Sequence, residues 1–342
     1  MHILITGGTG YIGSHTIVEL LQAGHSVAAI DNLSNSKQSV IGRIEAITGQ
    51  AVPFYQVDIR DGEGLQKILE KERFDCCIHF AGLKAVGESV RKPWDYYDNN
   101  ITGTLTLVRA LEQNGCKNLV FSSSAAVYGN SETMPITEEV PKGVCMSPYG
   151  RTKSMVEDIL LDLHAADLQN ADPHPWNVVL LRYFNPIGAH PSGLIGEEPN
   201  GIPNNLMPYI TQVAAGKLEK LHVFGDDYDT PDGTAVRDYI HVVDLAKGHV
   251  RSLQCIAENR GAAVYNLGTG KGTSVFEILH AFEEANGLKI PYTVDGRRPG
   301  DVPALYADPS KANRELGWKA ELTLRDMCRD SWKWQKYATE HL

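Results

Sequence analysis

Several groups of residues in this chain have the type and spacing to do chemistry. Tyr149-Gly150-Arg151-Thr152-Lys153 follows Pro148 at the predicted start of a helix. Residues four apart share a helix face, so the Tyr149 phenol and the Lys153 ammonium can address one point. Such a pair alone is common on protein surfaces. Here it is joined to Ser122, Ser123 and Ser124, which end an apolar run, and to a glycine cluster near the start of the chain. That cluster, Gly7-Gly8-Thr9-Gly10-Tyr11-Ile12-Gly13, closes the apolar run His2–Thr6 and opens a helical pattern. A strand-to-helix turn of this kind lets backbone N–H groups approach a pyrophosphate at the helix N-terminus, where the helix dipole also favours negative charge. Two glycine spacings fit, one through Gly8, Gly10 and Gly13 and one through Gly7, Gly10 and Gly13. Asp31 ends the next apolar run about 20 residues on, where a carboxylate can hold the adenosine ribose hydroxyls of a dinucleotide. A carboxylate there repels a 2′-phosphate, and no arginine follows within Asn32–Ser36, so NAD is expected rather than NADP.

These groups need a scaffold, and the rest of the chain bounds it. With 342 residues, of which 42% are hydrophobic and 22% charged, the composition is that of a globular protein of about two domains. The formal net charge of −10 repels polyanions, so neither nucleic acid nor an anionic membrane is expected as a partner. The first residues show no signal-peptide pattern, and no run approaches the roughly 18 apolar residues of a membrane span. A soluble, cytoplasmic protein is expected. Six cysteines without metal-ligand or paired spacing agree with reduced thiols, and twelve histidines show no ligand pattern, so no metal is expected.

Strands are predicted at His2–Thr6, Ser26–Ile30, Val52–Val57, Asp75–His79, Asn118–Ser122 and Val178–Leu181. Helices are predicted to start near Tyr11, Ser36, Gly62, Trp94 and Pro148. This alternation argues for a parallel sheet covered on both faces, so the fold class is α/β: a doubly wound, Rossmann-type NAD domain over residues 1–184. After about Asn185 the pattern changes to loops rich in Pro, Gly and Asn, namely Pro186–Gly201, Gly225–Gly233 and Asp295–Asp301. Residues 185–342 are expected to form a smaller α/β substrate-binding domain, with strands near 235–267 returning to the first sheet.

At this point the chain resembles the extended short-chain dehydrogenase/reductase family. The resemblance runs through nearly the whole length, including Gly7–His15, His79–Ser89, Phe121–Ser124, Tyr149–Lys153, Leu181–Asn185, Gly201–Tyr209 and Val236–Val242. It implies reversible epimerisation at C4 of UDP-galactose and UDP-glucose, through a transient 4-keto sugar and tightly bound NAD. It also implies a side activity on UDP-GalNAc and UDP-GlcNAc, and a homodimer formed through helices near Trp94–Gln113 and Pro148–Leu168. The resemblance implies that NAD is held by Gly7, Gly10, Tyr11, Ile12 and Gly13, then by Asp31, Asn32, Asn35 and Ser36, and by Asp58 and Ile59. Phe80, Ala81, Gly82 and Lys84 follow, with Asn99, Tyr149, Lys153 and Tyr183. The UDP-sugar would be held by Lys84, Ser124, Tyr149, Asn185, Asn205 and Leu206, together with Arg237, Tyr239, Arg298, Asp301 and Leu305.

By the same resemblance Tyr149, Lys153 and Ser124 are catalytic, with Tyr149 the base that takes the sugar O4 proton. A free phenol, with pKa about 10, is a poor base at neutral pH. Bringing it to about 7 requires roughly 4 kcal/mol of preferential phenolate stabilisation, which the Lys153 ammonium and the oxidised nicotinamide can supply. Arg237 and Arg298 suit a diphosphate because guanidinium presents forked donors.

Rival readings are a dehydratase or another sugar-nucleotide epimerase of the same family, and a non-catalytic NAD-binding scaffold. Dehydration needs a further acid and base directly after the strand-end serine, where this chain has Ala125 and Ala126. A scaffold would be expected to lose Tyr149 or the substrate-binding residues. By the same resemblance, Leu305 falls at a pocket-wall position where a large residue restricts the sugar and a small one admits an N-acetyl group, and leucine is intermediate. Leu105, Val108 and Leu111 read as a packed helix stripe, His79 as a structural histidine, and Trp332, Trp334 and Tyr337 as the last helix covering the core. The segment His164–Trp176 reads as a surface loop.

Overall fold

A computed structural model describes residues 1–298 and 301–342, so two residues of the Asp295–Asp301 loop lie outside the described set. Thirteen strands are present among the described residues: β1 (His2–Thr6), β2 (Ser26–Asp31), β3 (Phe54–Gln56), β4 (Cys76–His79), β5 (Asn118–Ser124), β6 (Asn177–Tyr183), β7 (Asn185–Ile187), β8 (Leu221–Phe224), β9 (Val236–His241), β10 (Ala262–Leu267), β11 (Gly272–Ser274), β12 (Tyr292–Asp295) and β13 (Ala304–Leu305). Seven of them form one sheet in the order β10-β6-β5-β4-β1-β2-β3, and every pair in it is parallel.

Both faces of this sheet are apolar because the strands carry apolar residues at successive positions. Ile3 and Ile5 of β1 join Ile17 and Leu20 of the helix Tyr11–Gln22 and Leu245 and Leu253 of the helix Val242–Ala257 in one core layer. Leu4, between them, joins Leu65, Leu107 and Leu160 on the other face, from the helices Gly62–Lys71, Gly103–Gln113 and Pro148–Gln169. The chain leaves β1 toward β2 and β3, then returns to place β4 on the other side of β1. That reversal opens a crevice at the carboxyl ends of β1 and β4, the usual ligand position of an open parallel sheet.

Of the two strands expected to return to the first sheet, β10 does so, with Leu267 registered on Tyr183 of β6. The other does not. β9 pairs with β7, β11 and β13 in a separate sheet, because β10 takes the open edge of β6. A buried polar residue further ties β9 to the second sheet: the Asp238 carboxylate accepts hydrogen bonds from the backbone of Thr269, Gly270 and Ala307 and from the Thr269 hydroxyl, at 2.6–3.1 Å. β8 and β12 form a two-stranded parallel pair.

Three smaller expectations change. The predicted stripe is incomplete, since Val108 and Leu111 are buried but Leu105 is 44% exposed. The helix that starts at Pro148 runs on to Gln169, so the first part of His164–Trp176 is helical and its last residue, Trp176, is fully buried. Lys117 holds this turn by pairing with Asp167 at 3.0 Å and Asp172 at 2.8 Å. The helix predicted near Ser36 begins at Ser39.

Candidate active site

The glycine turn shows why those positions lack side chains. Gly7 has φ +69°, and a Cβ there would stand 2.8 Å from the Ala81 nitrogen. At Gly13 a Cβ would stand 2.2 Å from the Gly7 carbonyl oxygen, so the helix could not begin so close to β1. Gly10 caps the helix Tyr11–Gln22 without any side-chain hydrogen bond. Among the described residues the amides of Tyr11 and Ile12 find no acceptor. Unsatisfied N–H groups at a helix start are a ready anion site, so the residues present fit a dinucleotide pyrophosphate.

Around this turn, Asp31 accepts hydrogen bonds from the Leu33 amide and the Ser36 hydroxyl, both at 2.9 Å. Other residues expected on the adenosine side lie in the adjoining loops. Asn32 donates to Asp58 at 2.9 Å, and Arg60 beside Asp58 holds its carboxyl below the usual range. Asn35 follows in the same loop, and Ile59 is buried next to Asp58. Beyond β4, the Phe80 amide bonds to the Thr6 carbonyl and the Ala81 amide to the Thr6 hydroxyl, each at 3.1 Å. A Cβ at Gly82 would stand 3.3 Å from the Asn100 side-chain oxygen. Asn99 and Asn100 lie in a single π-helical turn, Asp98–Thr102, a feature that often marks functional sites. Asn100 is buried and tethers Leu83 on one side and the Thr152 hydroxyl on the other, at 2.8–3.0 Å. It thereby ties the loop bearing Lys84 to the helix bearing Tyr149.

That helix is set by local chemistry. The Ser147 side chain accepts from the Gly150 amide at 3.2 Å, and Pro148 occupies the first turn, both favoured at helix starts. Tyr149 thus faces Ser124 at the end of β5. Burial pushes the Tyr149 pKa up, while Ser124 and the Lys84 charge pull it down. Lys153 lies one turn further along, donating to the Ser122 carbonyl at 2.6 Å and lying 4.8 Å above the Phe121 ring. Burial lowers its pKa to about 8, opposed by Glu157. Tyr183, at the end of β6, hydrogen-bonds the Ser122 hydroxyl.

The second half of the chain carries the remaining expected residues. Asn185 begins β7 and pairs with Tyr239 of β9. Arg237 donates to the carbonyls of Val236 and Val302 at 2.8 Å and approaches Asp301 at 3.5 Å. Arg298 pairs with the other Asp301 oxygen at 3.3 Å and lies 4.5 Å above the Phe224 ring. Burial raises the Tyr239 hydroxyl to about 12 against the charges of Arg237 and Arg298. Leu305 pairs with Arg237 and packs against Ala125, Tyr128 and Phe184. Asn205 caps the helix Leu206–Ala214 and bonds to Glu197 at 2.8 Å. His79 is structural, with both ring nitrogens bonded to threonines, Thr6 at 2.7 Å and Thr104 at 2.9 Å. Among the described residues no cluster of three or more His, Cys, Asp or Glu could hold a metal ion, and all six cysteines are free and buried. No helix among them is long and apolar enough to cross a membrane.

One site residue carries no signal in the sequence: Glu197, in the Pro186–Gly201 loop, whose partners Lys84 and Asn205 are found only in the fold.

A parallel doubly wound sheet, a glycine-turn dinucleotide cradle and a Tyr149/Lys153 pair at the same sheet edge define an extended short-chain dehydrogenase/reductase. Residues 4–331 match the family described as GDP-mannose 4,6 dehydratase. The UDP-glucose 4-epimerase of Bacillus subtilis is 58% identical over 335 residues, covering 98% of this chain and 97% of its own. The human UDP-glucose 4-epimerase is 55% identical over 340 residues, covering 98% and 96%. A crystal structure of UDP-glucose 4-epimerase from Stenotrophomonas maltophila, with bound NAD and formylated UDP-arabinopyranose, superposes with a TM-score of 0.96 at 50% identity, over all of both chains. One from Bifidobacterium longum, in complex with NAD+ and UDP, gives 0.93 at 52%, again over both whole chains. The chain belongs to that family and, within it, to the UDP-glucose 4-epimerases.

Proposed function

We propose that the chain interconverts UDP-galactose and UDP-glucose by reversible epimerisation at C4, through a transient 4-keto sugar, with NAD held tightly at the glycine turn. The observation that carries this reading is the docking of the helix that bears Tyr149 and Lys153 on the carboxyl end of β5, at Ser122–Ser124, on the same sheet edge as the glycine cradle. Bound NAD supplies the acceptor for the C4 hydride and its source on return. Tyr149 takes the O4 proton as the hydride leaves and gives it back when the opposite face of C4 is reduced. Ser124 hydrogen-bonds the same sugar oxygen, and the Lys153 ammonium holds the ribose beside the reacting carbon. Arg237 and Arg298 grip the diphosphate, and Asp301 accepts the uridine ribose hydroxyls. A firm hold on the nucleotide with a loose hold on the hexose lets the keto sugar turn over between the two hydride transfers.

Dehydration is disfavoured although the family description names a dehydratase. Ala125 and Ala126 follow Ser124 in a single 3₁₀ turn and offer no acid or base for the C6 hydroxyl. The half-buried Leu305 wall supports some turnover of UDP-GalNAc and UDP-GlcNAc. No detectable product from UDP-GalNAc, where UDP-galactose is epimerised, would exclude that side activity.

The reading assigns residues 1–184 to NAD and 185–342 to the UDP-sugar, with β10 lent back to the first sheet. Self-association as a homodimer is supported by Trp94, 85% exposed, with Leu105 and Met155 at 44% and 45%, on the helices expected to pair. Cytoplasmic residence is supported by the free, buried cysteines. The deciding experiment incubates the purified protein with UDP-galactose and no added NAD. UDP-glucose should form while retained dinucleotide is seen in the ultraviolet spectrum. Tyr149→Phe should keep the dinucleotide and lose about 10²- to 10⁴-fold in turnover, and unchanged turnover would refute the assignment of Tyr149 as base.

A further inference from the structure

Two cations follow the loop that Asp31 opens. The Ser36 hydroxyl donates to Asp31 at 2.9 Å and accepts from the Thr9 hydroxyl at 2.8 Å, which fixes the end of the Asn32–Ser36 loop against the carboxylate. Lys37 is the next residue, and Arg43 lies on the helix Ser39–Thr48. They are the only basic residues between Asp31 and Thr48. The next one along the chain, Arg60, is taken by Asp58 at 2.8 Å and Asp98 at 2.7 Å.

Both cations are engaged by one carboxylate from the other half of the chain. One oxygen of Glu198, 161 residues from Lys37, pairs with that ammonium, and the other approaches Arg43 Nη2 at 3.6 Å. The Arg43 side chain is only 9% exposed, with its guanidinium carbon 5.3 Å from the centre of the Trp334 ring. Its Nε and Nη1 are buried and find no acceptor among the described residues. A guanidinium with unmet donors away from water is receptive to a further anion. The loop bearing Glu198 is fixed by Trp334 of the helix Leu324–His341, whose indole N–H donates to the Glu197 carbonyl at 3.0 Å. A Cβ at Gly196 would stand 2.3 Å from the same ring, so glycine alone lets the backbone lie on the indole there. The tryptophan expected simply to cover the core thus sets a carboxylate of the second half against the cations of the first.

We infer that Glu198 is a specificity-determining residue for the dinucleotide: it occupies Lys37 and Arg43, the two cations that could otherwise pair with a 2′-phosphate on the adenosine ribose. This rests on the reading of Asp31 as the residue that holds that ribose. A site for a 2′-phosphorylated dinucleotide needs a basic side chain near the 2′ position, and guanidinium suits a phosphate well. Basic side chains follow the ribose loop here, but Glu198 satisfies them and adds a negative charge to that of Asp31. A 2′-phosphate therefore meets two carboxylates and cations that are already paired. A bare 2′-hydroxyl loses nothing by the same arrangement.

The test reads bound dinucleotide rather than turnover. Purified protein is incubated with an excess of NAD+ and NADP+ in equal amounts until the bound fraction is constant, then desalted, and the released dinucleotides are quantified by chromatography. A variant that keeps its original dinucleotide is refolded from urea in the same mixture. Glu198→Gln preserves shape and removes the charge, and should move the bound NADP/NAD ratio toward NADP by about tenfold, about 1.4 kcal/mol. Most of that shift should vanish between about 0.1 M and about 1 M salt, as the screening length falls from about 10 Å to about 3 Å. Adding Lys37→Met, at a half-exposed position, should cancel at least half of it. A ratio within about twofold of the parent in Glu198→Gln, or a shift that survives high salt or Lys37→Met, would each overturn the inference. Asp31→Asn run alongside should move the ratio the same way. If it does while Glu198→Gln does not, this inference fails alone; if neither does, the adenosine reading falls with it.

Discussion

Replacing Glu157 by glutamine preserves shape and removes one charge from the sealed floor of the site. Glu157 is fully buried and accepts from Arg182 Nε at 2.9 Å, from Arg182 Nη2 at 2.6 Å and from the Ser123 hydroxyl at 2.5 Å. Arg182 is itself 6% exposed. Its other close neighbour is the Tyr128 ring, 4.8 Å from the guanidinium carbon, which cannot replace a counter-ion. Breaking a buried pair by neutralising one partner costs about 3–5 kcal/mol, because the remaining charge is stranded away from water. Unfolding entropy for a chain of this length is about 0.7 kcal/mol/K near the transition, so Glu157→Gln should lower Tm by roughly 4–7 °C. Calorimetry at a fixed, saturating NAD concentration keeps ligand linkage constant between variants. The double variant Glu157→Met with Arg182→Met removes both charges and should recover at least half of the loss. A Tm within about 1 °C of the parent for Glu157→Gln would refute the argument that the pair is closed to water. So would a double variant no more stable than the single.

Other perturbations reach the remaining parts of the site. Gly13→Ala forces a Cβ into the Gly7 carbonyl and should weaken NAD binding by about 100-fold or more, about 2.7 kcal/mol, measured by retention of dinucleotide on gel filtration. Lys153 is protonated below its folded pKa of about 8 and loses its charge above it, so kcat/KM should fall on the alkaline side from about pH 8. Glu157 raises that pKa, so in Glu157→Gln the alkaline limb should move to lower pH, and an unmoved limb would dissociate it from Lys153. Trp94→Asp places a charge on the most exposed large hydrophobic side chain among the described residues and should convert a dimer to monomer in sedimentation analysis, with the NAD content unchanged.

The parts of this molecule legible in its sequence are those in which chemistry and local geometry coincide. Gly7, Gly10 and Gly13 could be read because a turn that approaches phosphate excludes side chains wherever it occurs. Tyr149 and Lys153 could be read because four residues make one helical turn, and the proline before them announces where it starts. The first six strands of the sheet were visible as apolar runs, with ends misplaced by up to two residues. β9 was read as a strand, but nothing in its pattern shows which sheet it joins, since that depends on β10 taking the edge of β6. Leu105 looked packed because periodicity marks an apolar position without saying what covers it. Glu197 was illegible for a deeper reason. Its partners Lys84 and Asn205 stand 113 and 8 residues away, and a glutamate in a polar loop looks like any solvated charge until Trp334 fixes where the loop lies.

The return of β10 to the edge of β6 has a bearing on how the chain must be made. When only residues 1–184 have left the ribosome, β6 is complete but its outer row of backbone donors and acceptors is bare, since the strand that satisfies it ends at Leu267. An open edge of buried apolar sequence is a template for pairing with another chain. The nascent protein therefore carries an unfinished sheet through the synthesis of some eighty further residues, about 4–16 s at ordinary translation rates. Holding that edge apart during those seconds is a task for chaperones, and a fragment cut after the first half should aggregate rather than bind its dinucleotide as a free-standing module.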